Sequence, residues 1–185
     1  MIGNDVVDLN LAKTESNWQR KGFLEKQFTE FEINEILSSA NPFLKVWLFW
    51  SMKEAAYKCY VQEHQKRFFA PKKFSCKIIS DREGVVEIDS KKYYINYLIS
   101  DKYIASVTRE NKDSKMVSEL FFIDKNESVT KIINDKLVSF FADDTQLLKN
   151  DLGIPYLYQN NKKIDVSVSK SHHGNYGAFA FTLHN

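Results

Sequence analysis

Three short stretches carry residue types that could do chemistry. The first, IGNDVVDLN, places Asp5 and Asp8 among aliphatic residues at the start of the chain. A carboxylate inside an apolar strand is costly unless it is hydrogen-bonded, ion-paired or bound to a cation. Period two puts Asp5 and Val7 on one face of such a strand and Val6 and Asp8 on the other, so the two aspartates do not share one ion unless the strand ends or bulges there. Asp5 is on these grounds either a structural carboxylate or a metal ligand.

The second stretch is WSMKEAAYK, residues 50–58. On a helix Glu54 and Lys58 are four apart and share a face. That spacing suits a surface ion pair worth a few tenths of a kcal/mol. Trp47, Trp50 and Tyr57 make the helix apolar around most of its girth, and in that setting a carboxylate and an ammonium one turn apart can meet a metal ion and a phosphate. The third stretch, GIPYLYQNNKKIDVSVSKSHHG, has a Gly153–Pro155 turn and a strand ending in Ser169, Ser171, His172, His173 and Gly174. Small hydroxyl residues, an imidazole and a glycine at a strand end allow close approach of an anion; they equally describe a polar loop. No Gly-rich phosphate loop, dinucleotide fingerprint, zinc-spaced His/Cys set or GxSxG elbow is present.

These stretches need elements to hold them. Residues 2–9 read as a buried strand. Trp18, Phe23, Phe28, Phe31, Ile33, Ile36 and Leu37 fit helical turns from Glu15 to about Ser39 with a break near Thr29, where Thr29 and Glu32 form a capping-box pattern. Asn41-Pro42 opens a strong helix to about His64. Short β-like runs follow at 74–79, 85–88, 93–98 and 103–108, separated by turn residues at 81–84, 89–90 and 100–101. Beyond the polar stretch Glu110–Lys115, the spacing predicts a strand at 120–123, a helix over 129–141 and strands at 164–168 and 177–183. Strand, helix and strands thus occur twice, at about 1–112 and 113–185.

Composition sets the class. The chain has 185 residues, 43% of them hydrophobic, with three Pro and six Gly, so it can bury a core and is not linker-rich. A net charge of +2 gives no bulk case for nucleic acid. Cys59 and Cys76 have no CxxC spacing and suit buried thiols in a reducing compartment. The longest apolar run, Val46–Trp50, is far short of the roughly 20 residues that span a bilayer. A soluble, cytoplasmic protein is expected.

Together, IGNDVVDL, RKGFLEKQFTEFEI, WSMKEAAYK and GIPYL…SVSKSHHGNYGAFAF resemble the 4′-phosphopantetheinyl transferases, in which an IGxD strand, an (F/W)(S/A)xKE(A/S)xxK helix and a GxP…SxSHxG segment recur. The resemblance covers roughly half the chain. It implies transfer of the phosphopantetheine arm of coenzyme A to a serine of an apo acyl, polyketide or peptidyl carrier protein, with release of 3′,5′-ADP. It implies Asp5 and Glu54 as carboxylates for Mg²⁺, with Mn²⁺ as an alternative. Glu54, directly or through a water it orients, becomes the candidate base, and Lys58 the cation that neutralises phosphate. His172 with Ser171 matches the segment that contacts coenzyme A phosphates, and Gly153–Pro155 the turn beside the adenine. Two departures stand out: Val7 occupies the place of a second strand acid in many relatives, and Ile154 replaces the usual lysine between Gly153 and Pro155.

The implied fold is α+β: a pseudo-dimer of two α+β halves, 1–112 and 113–185, with small antiparallel sheets packed on helices and the site between the halves. Motif order matches the short trimeric type, whereas length and the finished look of residues 74–108 match one chain with its halves in swapped order. A monomer is expected, with a trimer as the competing picture. A coenzyme A- or carrier-binding module that keeps the fold without turnover is the alternative function.

Overall fold

In the computed structural model, residues 1–68, 70–124 and 128–183 are described. Strand β1 (Ile2–Asp8) is buried along nearly its whole length. Helix α1 (Leu9–Glu15) follows at once, because Asp8 caps it: Oδ1 accepts from the Asn10 and Leu11 amides at 3.0 and 3.2 Å. This helix is not expected from sequence, because Asp8 fits the strand pattern, and the helical turns expected over residues 16–22 are replaced by turns and irregular backbone. Helix α2 (Phe23–Gln27) is short, and α3 (Glu30–Leu37) starts at the expected capping box of Thr29 and Glu32. Helix α4 (Pro42–His64) has the predicted bounds, set by the Asn41 cap, Pro42 in the first turn and a left-handed Gln65 at its end.

After a 3₁₀ turn at Pro71–Lys73 come β2 (Ser75–Ile78), β3 (Glu83–Ile88), β4 (Lys91–Ile99) and β5 (Tyr103–Arg109). With β1 they form an antiparallel sheet in the order β1-β5-β4-β3-β2. Glu83 and Gly84, expected in a turn, already pair with β4. Helix α4 crosses β1 and β5, and its apolar side joins Phe28, Phe74, Tyr93 and Ile95 in the larger core.

The remainder comprises β6 (Met116–Phe122), α5 (Val129–Val138), β7 (Gln146–Lys149), β8 (Pro155–Gln159), β9 (Lys162–Lys163), β10 (Val168–His173) and β11 (Tyr176–Thr182). They make two three-stranded sheets, β10-β11-β6 and β7-β8-β9. The expected strand at 164–168 is instead loop up to Val168, and β7 and β8 were not anticipated. Helix α5 stops three residues short of Phe141, yet Phe140 and Phe141 still pack on Phe181. A second core forms around Ile133, Leu137, Leu157, Phe179 and Phe181. The two regions meet along β1, which lies between α4 on one side and β10 and β11 on the other.

Candidate active site

The two faces of β1 have different tasks. Toward α4 it presents Gly3, Asp5 and Val7. A Cβ on Gly3 would lie 2.0 Å from the Ala55 carbonyl oxygen, so only glycine lets the helix come this close. That approach brings Lys58 onto β1, where Nζ donates to the Asn4 carbonyl at 2.7 Å and to Asp5 Oδ1 at 3.2 Å. Val7, in register with Asp5, is buried in the larger core, so a single strand-borne acid serves this face.

Asp5 and Glu54 are both perturbed carboxylates. Burial pushes the Asp5 carboxyl above the usual carboxylate range, with Lys58 opposing it. Burial and then the Asp5 charge push Glu54 up to about 7, again against Lys58. Burial raises the proton affinity of both carboxylates and the Asp5 charge raises that of Glu54 further, and oxygen donors of this kind would suit Mg²⁺. Among the described residues no group of three or more His, Cys, Asp or Glu side chains is placed to hold a metal, so the protein's share would be these two.

The opposite face of β1 carries Asn4, Val6 and Asp8 toward β10. The Asn4 amide donates to Ser169 Oγ and its side chain to Ser171 Oγ, both at 2.9 Å. His173 Nδ1 accepts from the Asp8 amide at 2.8 Å, and Asp8 Oδ2 accepts from the Asn175 amide at 3.2 Å. Asp8 is therefore a cap and a cross-link rather than a partner of Asp5. Ser171, which the resemblance assigned to coenzyme A, is buried and turned toward Asn4. Strand alternation sends Lys170 and His172 to the other side of β10. Burial lowers the His172 pKa, and Lys58, His173, Lys170 and Lys149 lower it further, which sets the imidazole among cations.

A cavity of about 370 Å³ opens beside Glu54 and Lys58. Its far wall is the turn before β8, in which Asn150 Oδ1 accepts from the Leu152 and Ile154 amides at 3.1 and 2.9 Å. Gly153 has φ +72°, and a Cβ there would meet Arg67 Nη2 at 2.6 Å, so glycine both makes the turn and admits the guanidinium. Ile154 is buried and supplies apolar lining. Gln65 ties the end of α4 to this turn through Tyr156 and Asn150. Lys58, Arg67, Lys149 and Lys170 face the cavity, with Glu54 as an acid among them. Burial, and then Lys149, brings Lys170 down to about 8.

Of the residues singled out from sequence, Asp5, Glu54 and Lys58 come together, Gly153 and Pro155 line the same cavity, and His172 stands near its cations. Arg67, Lys149 and Lys170 were missed. Period two in SKSHH could have found Lys170, which shares a strand face with His172; nothing local marks Arg67 or Lys149.

Residues 1–111 match the sequence model of the 4′-phosphopantetheinyl transferase superfamily. Among solved structures, the chain is similar to the crystal structure of Thermotoga maritima holo-[acyl-carrier-protein] synthase, at 14% identity and a TM-score of 0.46, over 88% of this chain and 83% of that one. No curated protein matches it by sequence.

Proposed function

The chain belongs to the 4′-phosphopantetheinyl transferase superfamily, and from that premise we propose that it transfers the 4′-phosphopantetheine arm of coenzyme A to a serine of an apo carrier protein, in the holo-[acyl-carrier-protein] synthase manner, with Mg²⁺. The observation that carries the reading is the meeting of Asp5, Glu54 and Lys58 beside a cavity with three further cations and the Gly153–Pro155 turn. Such a cavity fits a ligand with several phosphates and a flat apolar group. In this reading the arginine and lysines hold the coenzyme A phosphates, with His172 beside them, and the Gly153–Pro155 turn and Ile154 lie along the adenine.

The reaction forms a bond from the serine oxygen to the β-phosphorus and breaks the phosphorus–oxygen bond to 3′,5′-ADP. Asp5 and Glu54 would hold Mg²⁺, which supplies charge neutralisation at the pyrophosphate. Glu54, directly or through a water it orients, is placed to take the serine proton. Lys58, anchored by Asn4 and Asp5, keeps an ammonium at the cavity edge to offset charge on the departing phosphate. A monomer is part of this reading, and gel filtration at a trimer mass would sink that part. The reducing cytoplasm suits the two buried free cysteines.

The test is to mix the protein with Mg²⁺, coenzyme A and several apo carriers and weigh the carriers. A gain equal to the arm is expected. Tight coenzyme A binding with no gain on any carrier would instead assign a binding module that keeps the fold without turnover.

A further inference from the structure

The β1–β10 seam is unusual in what it asks of its side chains. Asn4 is 1% exposed, and Ser169 and Ser171 are 3% and 7% exposed. Strands β1 and β10 are edge strands of different sheets. The backbone of Asn4 therefore donates not to a neighbouring carbonyl but to Ser169 Oγ, and its side-chain amide to Ser171 Oγ. The carbonyl of the same residue accepts from Lys58. One buried residue thus joins the strand that carries Asp5, the helix that carries Glu54 and Lys58, and the strand that carries Lys170 and His172. Burying this much polar surface is costly, and an aliphatic pair would pack the seam more cheaply. What the polar version adds is direction: two hydrogen bonds fix the position of β10 along β1, whereas apolar contact would let it slide.

From this geometry we propose that Asn4, Ser169 and Ser171 are positioning residues of the transfer site. They form a hydrogen-bonded clamp that holds the phosphate-side groups on β10 at a fixed distance from Asp5 and Glu54, and they act without touching coenzyme A. The proposal rests on the transferase reading above and departs from it for Ser171, which becomes a partner of Asn4. A misplacement of about 1 Å between groups that must act together can cost on the order of a hundredfold in rate.

The experiment compares S171A, N4A and the N4A/S171A double variant with the wild type, using Mg²⁺, coenzyme A and an apo carrier. Each single variant is expected to lower kcat about tenfold to a hundredfold, while KM for coenzyme A stays within about twofold. The double variant should be no worse than the poorer single one, because both break the same bond. S171T, which keeps the hydroxyl, should hold its rate. A rise in KM at unchanged kcat would mean that Ser171 touches coenzyme A directly, and additive losses would mean that the pair does not act together; either overturns the clamp. A second measurement needs no turnover. In S169A/S171A, hydrogen exchange at the β1 amides should speed about tenfold or more, with β2–β4 unchanged. Unchanged exchange at β1 overturns the clamp even if the wild type proves to have no transferase activity, a result that by itself removes only the transferase reading.

Discussion

Among the lysine–carboxylate pairs on helix α4, those of Lys53 and Lys58 differ in what they leave over. Lys53 and Glu32 are 2% and 0% exposed in their side chains. All three Lys53 protons are used, on Glu32 at 2.8 Å and on the Pro71 and Phe74 carbonyls at 3.0 and 2.5 Å. Glu32 also accepts from the Thr29 and Cys76 amides. Lys58 and Asp5 are 30% and 13% exposed, and Lys58 spends its protons on two acceptors. The first pair is saturated and serves the fold, pinning α3, α4 and β2 together. The second has capacity left beside a cavity, with Glu54 one residue along the helix from Lys53 but turned about 100° away from it. Residue type does not separate these two pairs; unspent bonding capacity does.

The sharpest way to break this contrast is to neutralise the open site. Asp5→Asn or Glu54→Gln is expected to lower transfer at least a thousandfold, about 4 kcal/mol of barrier, in a carrier-mass time course, with the fold intact by circular dichroism. A loss below tenfold would dissolve the distinction. The closed pair should fail in the opposite sense. Lys53→Met leaves Glu32 buried without its cation and should cost about 3 kcal/mol in urea unfolding; a fully stable variant would show that the pair is dispensable.

A smaller effect sharpens the electrostatic side. In the fold Glu54 holds its proton to about 7 rather than the usual 4.5. The folded protein therefore keeps a proton that the unfolded chain releases, and metal-free stability falls as pH rises from 4.5 through 7. Glu54→Gln should then gain on the wild type over that window by on the order of 2 kcal/mol, read as a difference in Tm between pH 5 and pH 8. Adding Mg²⁺ at pH 8 should raise the wild-type Tm and leave the variant unmoved. The smallest change concerns the cavity wall: Gly153→Ala meets both a positive φ and Arg67, and should cost about 1 kcal/mol with a few-fold rise in KM for coenzyme A. An unchanged KM would detach that turn from the ligand.

Much of this was legible in the sequence, and for local reasons. Asn41-Pro42 and an apolar run fix α4, and the Thr29/Glu32 box fixes α3, because caps act within four residues. Helix α1 was hidden because Asp8 ends a strand and caps a helix at once. Strands β7 and β8 were hidden because they are short and only partly buried, which blurs the alternation that marks a strand. At the site, Asp5, Glu54 and Lys58 were readable as types with a spacing. Arg67 and Lys149 gain meaning only from the cavity they share, and Ser171 needed the direction that β10 takes against β1.

That seam also bears on how the chain comes to be folded. Asn4 meets Ser169 at a sequence separation of 165, and β1 pairs with β5 at about a hundred. Contacts of such separation are slow to close and reward the chain only after most of it is ordered. The helical segment from Thr29 to His64 can organise from local contacts, whereas Asp5 comes into place only when distant strands arrive on both sides of it. In a refolding experiment, regain of helical signal is thus expected to run ahead of transferase activity, so that catalytic competence is among the last properties the protein acquires.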